Sequence, residues 1–457
     1  MNENEIFNRR DFLKSGSVAT LMTMLGSGVE LMAQTNTPSG ETKLKGPKIK
    51  VAVIGLGTWG REIVNTLGRF DPSEVQPEIA AICDTYAPFV RRSSSLAPAA
   101  AQVENYQSLL DNKDIPAVVV ATPTHQHKEI VLAALKAGKH VYCEAPLANT
   151  IEHARAIATA AKEAKQVVFQ AGLQMRSEPQ RHFLLPFIRS GALGPFVKTR
   201  AQFQKKQSWR ATSPNPEREK ALNWRLEKAI SLGLAGEIGS HAIDQANWFL
   251  NARPVAITGF GNIAFWKDGR EVPDTVQAII EYPGRVLMNY EATLANSFDG
   301  EYEIFYGSDA AVMLRESKAW MFKEADSPLL GWEVYARKET FYHETGIALV
   351  ANASKSVNTG NQGQPAPFTD TPLSFALKNF LLNSANVTAA KEDFINNFGA
   401  DDPNALTDQL MKVKRELGRP AAGYLEGFQA TVTGIKANEA ILSGQRVELK
   451  PEWYELG

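Results

Sequence analysis

The chain reads as α/β, with a doubly wound parallel domain first and a larger α+β domain after it, built on an open, mostly antiparallel sheet. Three observations predict this. Val51-Ala-Val-Ile-Gly-Leu-Gly-Thr-Trp-Gly60 runs from an apolar, β-branched segment into a G-x-G-x-x-G turn and a helix start. Strand and helix patterns then alternate as far as residue 171. From residue 172 strand patterns follow one another without intervening helices.

In the first domain strands are predicted at 49–55, 79–83, 117–121, 140–143 and 167–171, with a short extended segment at 103–106. Helices fall between them at 60–67, 88–96, 107–112, 126–137 and 151–164. The strands are short apolar runs, and the helices carry apolar residues three and four apart. Repeated βα units demand a parallel sheet, right-handed crossovers and helices on both faces. Ligands of such sheets bind at the carboxyl ends of the strands, where Gly55, Asp84, Thr122 and Glu144 all fall.

The second domain shows strand patterns at 197–206, 255–262, 275–282, 285–294, 301–308, 311–315 and 319–323. Tyr282-Pro-Gly-Arg285 fits a tight turn with proline second and glycine third. Helices at 178–190, 236–250, 372–383, 403–416 and 421–442 are expected to cover one face of its sheet. Residues 324–370 form a long connection, rich in Gly, Pro and Asn at its end, of the kind used as a lid or subunit contact.

The 457 residues suit two or three domains. A net charge of −1 gives no electrostatic basis for nucleic-acid or anionic-membrane binding. Cys83 and Cys143 end strands three positions apart in a doubly wound sheet. That is roughly 14 Å, too far for a disulfide, so both are expected as free thiols.

The beginning of the chain is set apart from the fold. Asn8-Arg-Arg-Asp-Phe-Leu-Lys14 reads as a twin-arginine export signal, followed by a weakly apolar stretch at 15–29 and a cleavage position after Ala33. Retention of this leader as an anchor stays open, because Leu31 is a poor residue before the cleaved bond. The expected layout is a signal at 1–33, a polar linker at 34–47, the dinucleotide-binding domain at 48–171 and the substrate and oligomerisation domain at 172–457. Nothing after the leader is long and apolar enough to span a membrane.

The glycine motif defines a Rossmann phosphate loop. Gly55 permits the turn, Gly57 leaves room for a pyrophosphate, and Gly60 lets the helix pack against the strand. Asp84, 24 residues after Gly60, is placed to hold the adenosine ribose hydroxyls. A carboxylate there favours NAD over NADP, although Arg91 and Arg92 could meet a 2′-phosphate.

These residues resemble the Gfo/Idh/MocA family of glucose–fructose oxidoreductase, inositol dehydrogenase and relatives. Ile54-Gly-Leu-Gly-Thr-Trp-Gly60 is similar to its phosphate loop. Val118-Val-Val-Ala-Thr-Pro-Thr-His-Gln-His127 is similar to its threonine-proline turn. Ala137-Gly-Lys-His-Val-Tyr-Cys-Glu-Ala-Pro146 is similar to its Gly-Lys-x-Val-x-x-Glu-Lys-Pro signature except at one position. Gly172-Leu-Gln-Met-Arg176, Ser190-Gly-Ala-Leu-Gly194 and the run from Gly236 to Trp248 fit as well. The resemblance implies a nicotinamide cofactor (NAD or NADP), a small carbohydrate substrate and a homo-oligomer, dimer or tetramer; export of an already folded protein would require that cofactor to be tightly held. It places the cofactor against Gly55, Gly57, Thr58, Trp59, Gly60, Asp84, Thr122, Pro123, His127, Glu144, Ala145 and Gln174. It also makes His241 the catalytic histidine. Ala145 stands where the family carries its catalytic lysine, and Glu237 where it carries an aspartate.

His241 is the expected acid/base, since a neutral imidazole takes a hydroxyl proton near pH 7. Glu237 four residues before it and Asp244 three after would share its helix face, and one carboxylate would orient the ring. The same three groups could also bind a divalent ion; no metal is assigned. His125 and His127 either line the nucleotide cleft or cap the next helix. Arg176, Asp244 and Trp224 are the expected substrate contacts. Lys206 is the chosen substitute for the missing lysine, with Lys205, Arg176 and Tyr302 also considered and Trp209, Arg210 and Arg225 nearby. The expected function is an exported NAD(P)-dependent oxidoreductase of carbohydrates or cyclic polyols. The alternatives are a redox-neutral, NAD-dependent glycoside hydrolase or lyase, and a non-catalytic sugar-binding protein.

Overall fold

The computed structural model describes residues 45–330, 333, 338–341, 344–349 and 370–456. The leader at 1–33 lies outside them. Six parallel strands form the first sheet: β1 (Lys48–Ile54), β2 (Gln76–Cys83), β3 (Ala101–Val103), β4 (Ala117–Val120), β5 (His140–Cys143) and β6 (Phe169–Ala171). Their order is β3-β2-β1-β4-β5-β6, so the direction of winding reverses between β1 and β4. The connecting helices are α1 (Thr58–Leu67), α2 (Ala87–Ser94), α3 (Gln107–Asp111), α4 (His127–Lys136) and α5 (Ile151–Glu163). Alternate residues of β1 enter different cores. Val51 and Val53 pack with α1 and α2. Ala52 and Ile54 pack with α3, α4 and α5. Cys83 and Cys143 are buried free thiols, as their strand positions require.

The second sheet has ten strands: β7 (Phe196–Gln204), β8 (Ala256–Asn262), β9 (Thr275–Tyr282), β10 (Val286–Thr293), β11 (Glu301–Gly307), β12 (Ala310–Arg315), β13 (Lys318–Lys323), β14 (Lys338–Phe341), β15 (Glu344–Leu349) and β16 (Val447–Glu448). Among the described residues of this sheet only β7 and β10 pair in parallel; the other pairs are antiparallel. The β9–β10 turn places Gly284 at φ 76°, as a glycine in third position allows, and Arg285 follows it into the left-handed region. The expected 324–370 loop is partly strand, because β14 and β15 extend the sheet edge. Residues 350–369 lie outside the described part.

The remaining helices are α6 (Pro179–Arg189), α7 (Pro216–Leu222), α8 (Gly233–Glu237), α9 (Gly239–Leu250), α10 (Pro372–Phe398), α11 (Pro403–Leu417) and α12 (Tyr424–Ser443). Two of them overturn expectation. Leu373, Ala376, Leu377, Phe380 and Leu381 of α10, with Leu406 and Leu410 of α11, share a core with Val51, Val53, Ile63 and Leu67. These helices therefore cover the first sheet, not the second. The α10 helix also runs on to Phe398, past the expected stop at 383, because no glycine or proline interrupts it before Gly399. The α12 helix joins the layers. A Cβ on its Gly427 would come within 2.7 Å of Ala171 Cβ, while its Ile441 packs against Gly259 and Gly261 of β8.

Candidate active site

The site begins where β1 ends. Gly55 has φ 92°, and a Cβ there would meet the Ala121 backbone at 2.6 Å. A Cβ on Gly60 would meet the Gly55 carbonyl oxygen at 1.8 Å. Both glycines are thus fixed by packing. Gly57 differs, since a Cβ there would meet nothing within 4 Å. That open space, at the uncapped start of the ten-residue α1 with no acidic residue in its first turn, fits a pyrophosphate. Asp84 accepts hydrogen bonds from the Leu56 and Tyr86 backbone amides, at 2.7 Å each, which locks its carboxylate to the loop. A cavity of about 370 Å³ opens beside them, lined by Gly57, Thr58, Arg61, Phe89 and Arg92.

The carboxyl ends of β4 and β5 supply the next groups. Thr122 Oγ1 and Glu144 Oε1 are buried without a hydrogen-bond partner. Such orphaned polar atoms at a strand edge fit a ligand that brings its own hydroxyl groups. Burial raises Glu144 to about 7, against the pull of Trp59, Tyr142 and Arg225 toward ionisation. Trp59 itself is half open to solvent. The residues present therefore suit a nicotinamide dinucleotide. Pro123 turns the chain after Thr122, and Gln174 sits half-buried after β6.

His127 departs from expectation. Its Nε2 lies 2.9 Å from the Thr122 carbonyl and its Nδ1 3.2 Å from the Pro146 carbonyl. Burial lowers it to about 4. Each ring nitrogen faces a backbone carbonyl and the neutral ring donates to one of the two, so the ring is packed between two turns and turns neither nitrogen to a nucleotide.

The expected helix at 236–250 is broken at Ile238 into α8 and α9. Glycines sit on both sides of the break. A Cβ on Gly236 would strike Leu232 at 2.2 Å, and one on Gly239 would strike the Tyr290 ring at 2.8 Å. The break removes Glu237 from the face of His241. Glu237 accepts from Thr124 Oγ1 at 2.9 Å and from the Leu232 amide at 3.2 Å. Asp244 forms a two-pronged ion pair with Arg176, with both contacts at 2.9 Å, and Arg176 also lies over the Trp248 ring. Neither carboxylate orients the imidazole. His241 makes no side-chain hydrogen bond with the described residues, and burial lowers it to about 4.

The expected substrate contacts separate in the same way. Arg176 and Asp244 satisfy each other. Trp224 is buried, edge-on to His125 at 5.8 Å. Lys206 is exposed, its ammonium 4.8 Å from the Phe265 ring, and no contact ties it to His241, Glu237 or Glu144. Tyr302 is buried between Arg200 and Arg315. Two residues were missed. Thr124 is the partner of Glu237, across 113 positions of chain. Arg218 of α7 donates to Thr85 Oγ1 and to the Thr85 carbonyl, at 3.1 and 2.9 Å, and so lies beside Asp84. No local pattern could have announced either one.

Fold and site together define an α/β dinucleotide-binding protein whose cleft faces an open-sheet domain. Residues 49–172 match the oxidoreductase family with an NAD-binding Rossmann fold, and residues 186–312 match the GFO/IDH/MocA C-terminal domain. The chain belongs to the Gfo/Idh/MocA oxidoreductase family. It is 30% identical to levoglucosan dehydrogenase of Pseudarthrobacter phenanthrenivorans over 242 residues, which cover 48% of this chain and 57% of that protein. It is 27% identical to 2,7-anhydro-N-acetylneuraminate hydratase of Escherichia coli over 300 residues, covering 65% of this chain and 73% of that one. The fold matches a solved levoglucosan dehydrogenase in complex with NADH and L-sorbose, with a TM-score of 0.63 at 19% identity over 88% of this chain and 99% of that one.

Proposed function

We propose that the protein is an NAD(P)-dependent oxidoreductase of a carbohydrate or cyclic polyol. The observation that carries this reading is the pairing of an open phosphate cradle at Gly57 with an unengaged imidazole at His241. When bound, the nicotinamide exchanges the two electrons that separate a carbinol from a carbonyl. The loop 55–60 and the start of α1 hold the phosphates, and Asp84 and Glu144 accept ribose hydroxyls. The fixed carboxylate of Asp84 favours NAD. His241, neutral at pH 7, takes the substrate hydroxyl proton on a ring nitrogen and returns it in the reverse direction. Glu237, held by Thr124, keeps the turn after β4 in place. Ala145 gives the site no cation at the position where the family's lysine would stand.

Export by the twin-arginine route with the nucleotide already bound is part of this proposal, as is a homo-oligomer. The outer face of the ten-stranded sheet leaves Ile279 and Leu287 41% and 42% exposed, which suits a second copy. A redox-neutral variant, in which the sugar is transiently oxidised, an ether or glycosidic bond is broken and the electrons are returned, is favoured by the hydratase among the relatives.

The test is direct. Purified protein is incubated with NAD or NADP and a panel of levoglucosan, myo-inositol and D-glucose, then with aryl glycosides and no added acceptor. A rise in reduced-nicotinamide absorbance supports the dehydrogenase. Phenol release without that rise supports the redox-neutral variant. Failure to bind either nucleotide overturns both.

A further inference from the structure

We propose that residues 218–224 form a strap across the dinucleotide crevice, and that Arg218 is the latch that slows departure of the bound nucleotide. The inference rests on the oxidoreductase reading above and adds what governs exchange of its cofactor.

One end of the strap is rooted in the second domain. Asn223 accepts from the Ala211 amide at 2.7 Å and donates to the Ala211 carbonyl at 2.8 Å. Arg210 donates to the Asp268 carbonyl at 2.7 Å, and Ser208 to the Asp268 carboxylate at 3.0 Å. Trp224 is buried and meets His125 edge-on, which sets this end against the turn after β4.

The other end reaches the first domain through Arg218. Asn215 caps α7 by accepting from the Arg218 amide at 3.1 Å, so the helix starts where Arg218 can turn toward β2. Its guanidinium donates to Thr85 Oγ1 and to the Thr85 carbonyl, and its carbon lies 5.2 Å from the Tyr86 ring centroid. Tyr86 in turn meets Phe89 edge-on at 4.9 Å, and Phe89 lines the cavity beside Gly57. The Tyr86 amide is also one of the two donors that fix Asp84. Arg218 therefore bears on the corner that carries both the ribose-binding carboxylate and a wall of the cavity.

The two anchor points bracket the phosphate loop. Thr85 follows β2, His125 follows β4, and β1 runs between those strands and ends in the loop 55–60. Two strand spacings separate β2 from β4, roughly 10 Å. Six helical or tighter steps from Arg218 to Trp224 cover about 9 to 12 Å. The strap thus has the length to cross the end of β1, where the winding reverses and the pyrophosphate belongs. A nucleotide with one ribose at Asp84 and the other at Glu144 would pass beneath it.

The Arg218 end is the one built to open. Its contacts lie at the surface and join a cation to a hydroxyl, a carbonyl and an aromatic face. Breaking them strands no buried charge, whereas freeing the other end would expose Trp224 and strip the Asn223 bonds. Arg218 touches no reacting atom. It is a positioning residue that acts through Thr85 and Tyr86, and closure of such a segment sets the rate of nucleotide release.

The test is a chase. Wild type and variants are loaded with NADH, mixed with excess NAD in a stopped-flow instrument, and the loss of bound-NADH fluorescence is followed. Arg218→Ala is expected to release NADH about tenfold faster, with the association rate changed less than about threefold. Arg218→Lys, which keeps the cation and a donor, should fall between Arg218→Ala and wild type. The melting temperature of nucleotide-free Arg218→Ala should stay within about 2 °C of wild type, because the contact is exposed. Tyr86→Leu should speed release less than Arg218→Ala, and the double variant should release no faster than Arg218→Ala, since the two side chains act as one contact. An NADH release rate within twofold of wild type in Arg218→Ala overturns this inference alone. A fall of more than about 5 °C in its melting temperature also overturns it, by showing a prop of the fold instead of a latch. Wild type that takes up neither NADH nor NADPH overturns the functional reading and this inference with it. Should Arg218→Ala fail to fold, Arg218→Gln is chased in the same way, with release at least threefold faster expected and a wild-type rate contradicting the latch.

Discussion

The phosphate loop and the substrate corner do different work with different materials. The loop is made of backbone: three glycines, the start of α1, and one carboxylate bonded to the Leu56 amide. The corner is made of side chains brought from distant segments: Thr124, Trp224, Glu237 and His241. A backbone cradle is written into ten consecutive residues. A corner of side chains exists only after both sheets have packed around α12. The first is robust to changes in the second, so nucleotide binding and catalysis can be broken separately.

The largest effect expected is at His241. His241→Ala removes the proton acceptor and should lower kcat by about 1000-fold or more while leaving NADH affinity nearly unchanged, as stopped-flow and fluorescence titration would show. Loss of both together would mean that the two regions are not separable.

The glycines sharpen the comparison from the other side. Gly60→Ala forces a methyl group into the Gly55 carbonyl, so the loop must distort, at a cost of about 2–4 kcal/mol in a denaturant titration. Gly57→Ala meets open space and should leave stability within about 0.5 kcal/mol, yet weaken NADH binding by roughly 10- to 100-fold. If Gly57→Ala binds NADH as tightly as wild type, the pyrophosphate lies elsewhere.

Acid acts on the buried histidines and the buried carboxyls with opposite sign. Burial lowers His127 and His241 to about 4 and His140 to about 3, from an ordinary value of 6.5. Between these values the unfolded chain takes up protons that the folded chain refuses, so the histidines make stability fall as pH falls below 6.5. Glu144, raised from 4.5 to about 7, contributes the reverse, a loss as pH rises through that window. Glu301, likewise raised to about 7, acts in the same sense as Glu144, and burial raises Glu237, Asp244 and Glu303 as well, so the buried carboxyls oppose the histidines across this window. For catalysis, the acid limb of kcat/KM from His241 should lie near pH 4; a limb near 6.5 would show an imidazole open to water.

The smallest effect is expected at Lys206. With its ammonium on the exposed Phe265 ring, Lys206→Ala should change kcat/KM by less than about twofold.

The parts legible in the sequence were those fixed locally. The alternation of strands and helices to residue 171 follows from hydrophobic period and turn residues, and Asp84 from its spacing to the loop. The 236–250 stretch shows where this stops. Its three- and four-residue spacing promised one face for Glu237, His241 and Asp244. Packing against Leu232 and Tyr290 broke the helix at Ile238 instead, and Gly236 and Gly239 were the signal that went unread. The end of α10 was equally readable, because nothing in 384–398 stops a helix. That α10 and α11 return to the first sheet was not readable, since amphipathic spacing says which face is buried and not against what.

The central claim is that a nicotinamide dinucleotide lies along the carboxyl edge of the first sheet with its reactive ring toward His241. A crystal structure of the NADH complex tests this most directly. The account predicts the pyrophosphate over Gly57, ribose hydroxyls on Asp84 and Glu144, and space for one substrate carbon between the ring and His241. A nucleotide bound away from Gly57, or a ring turned from His241 toward solvent, would contradict it.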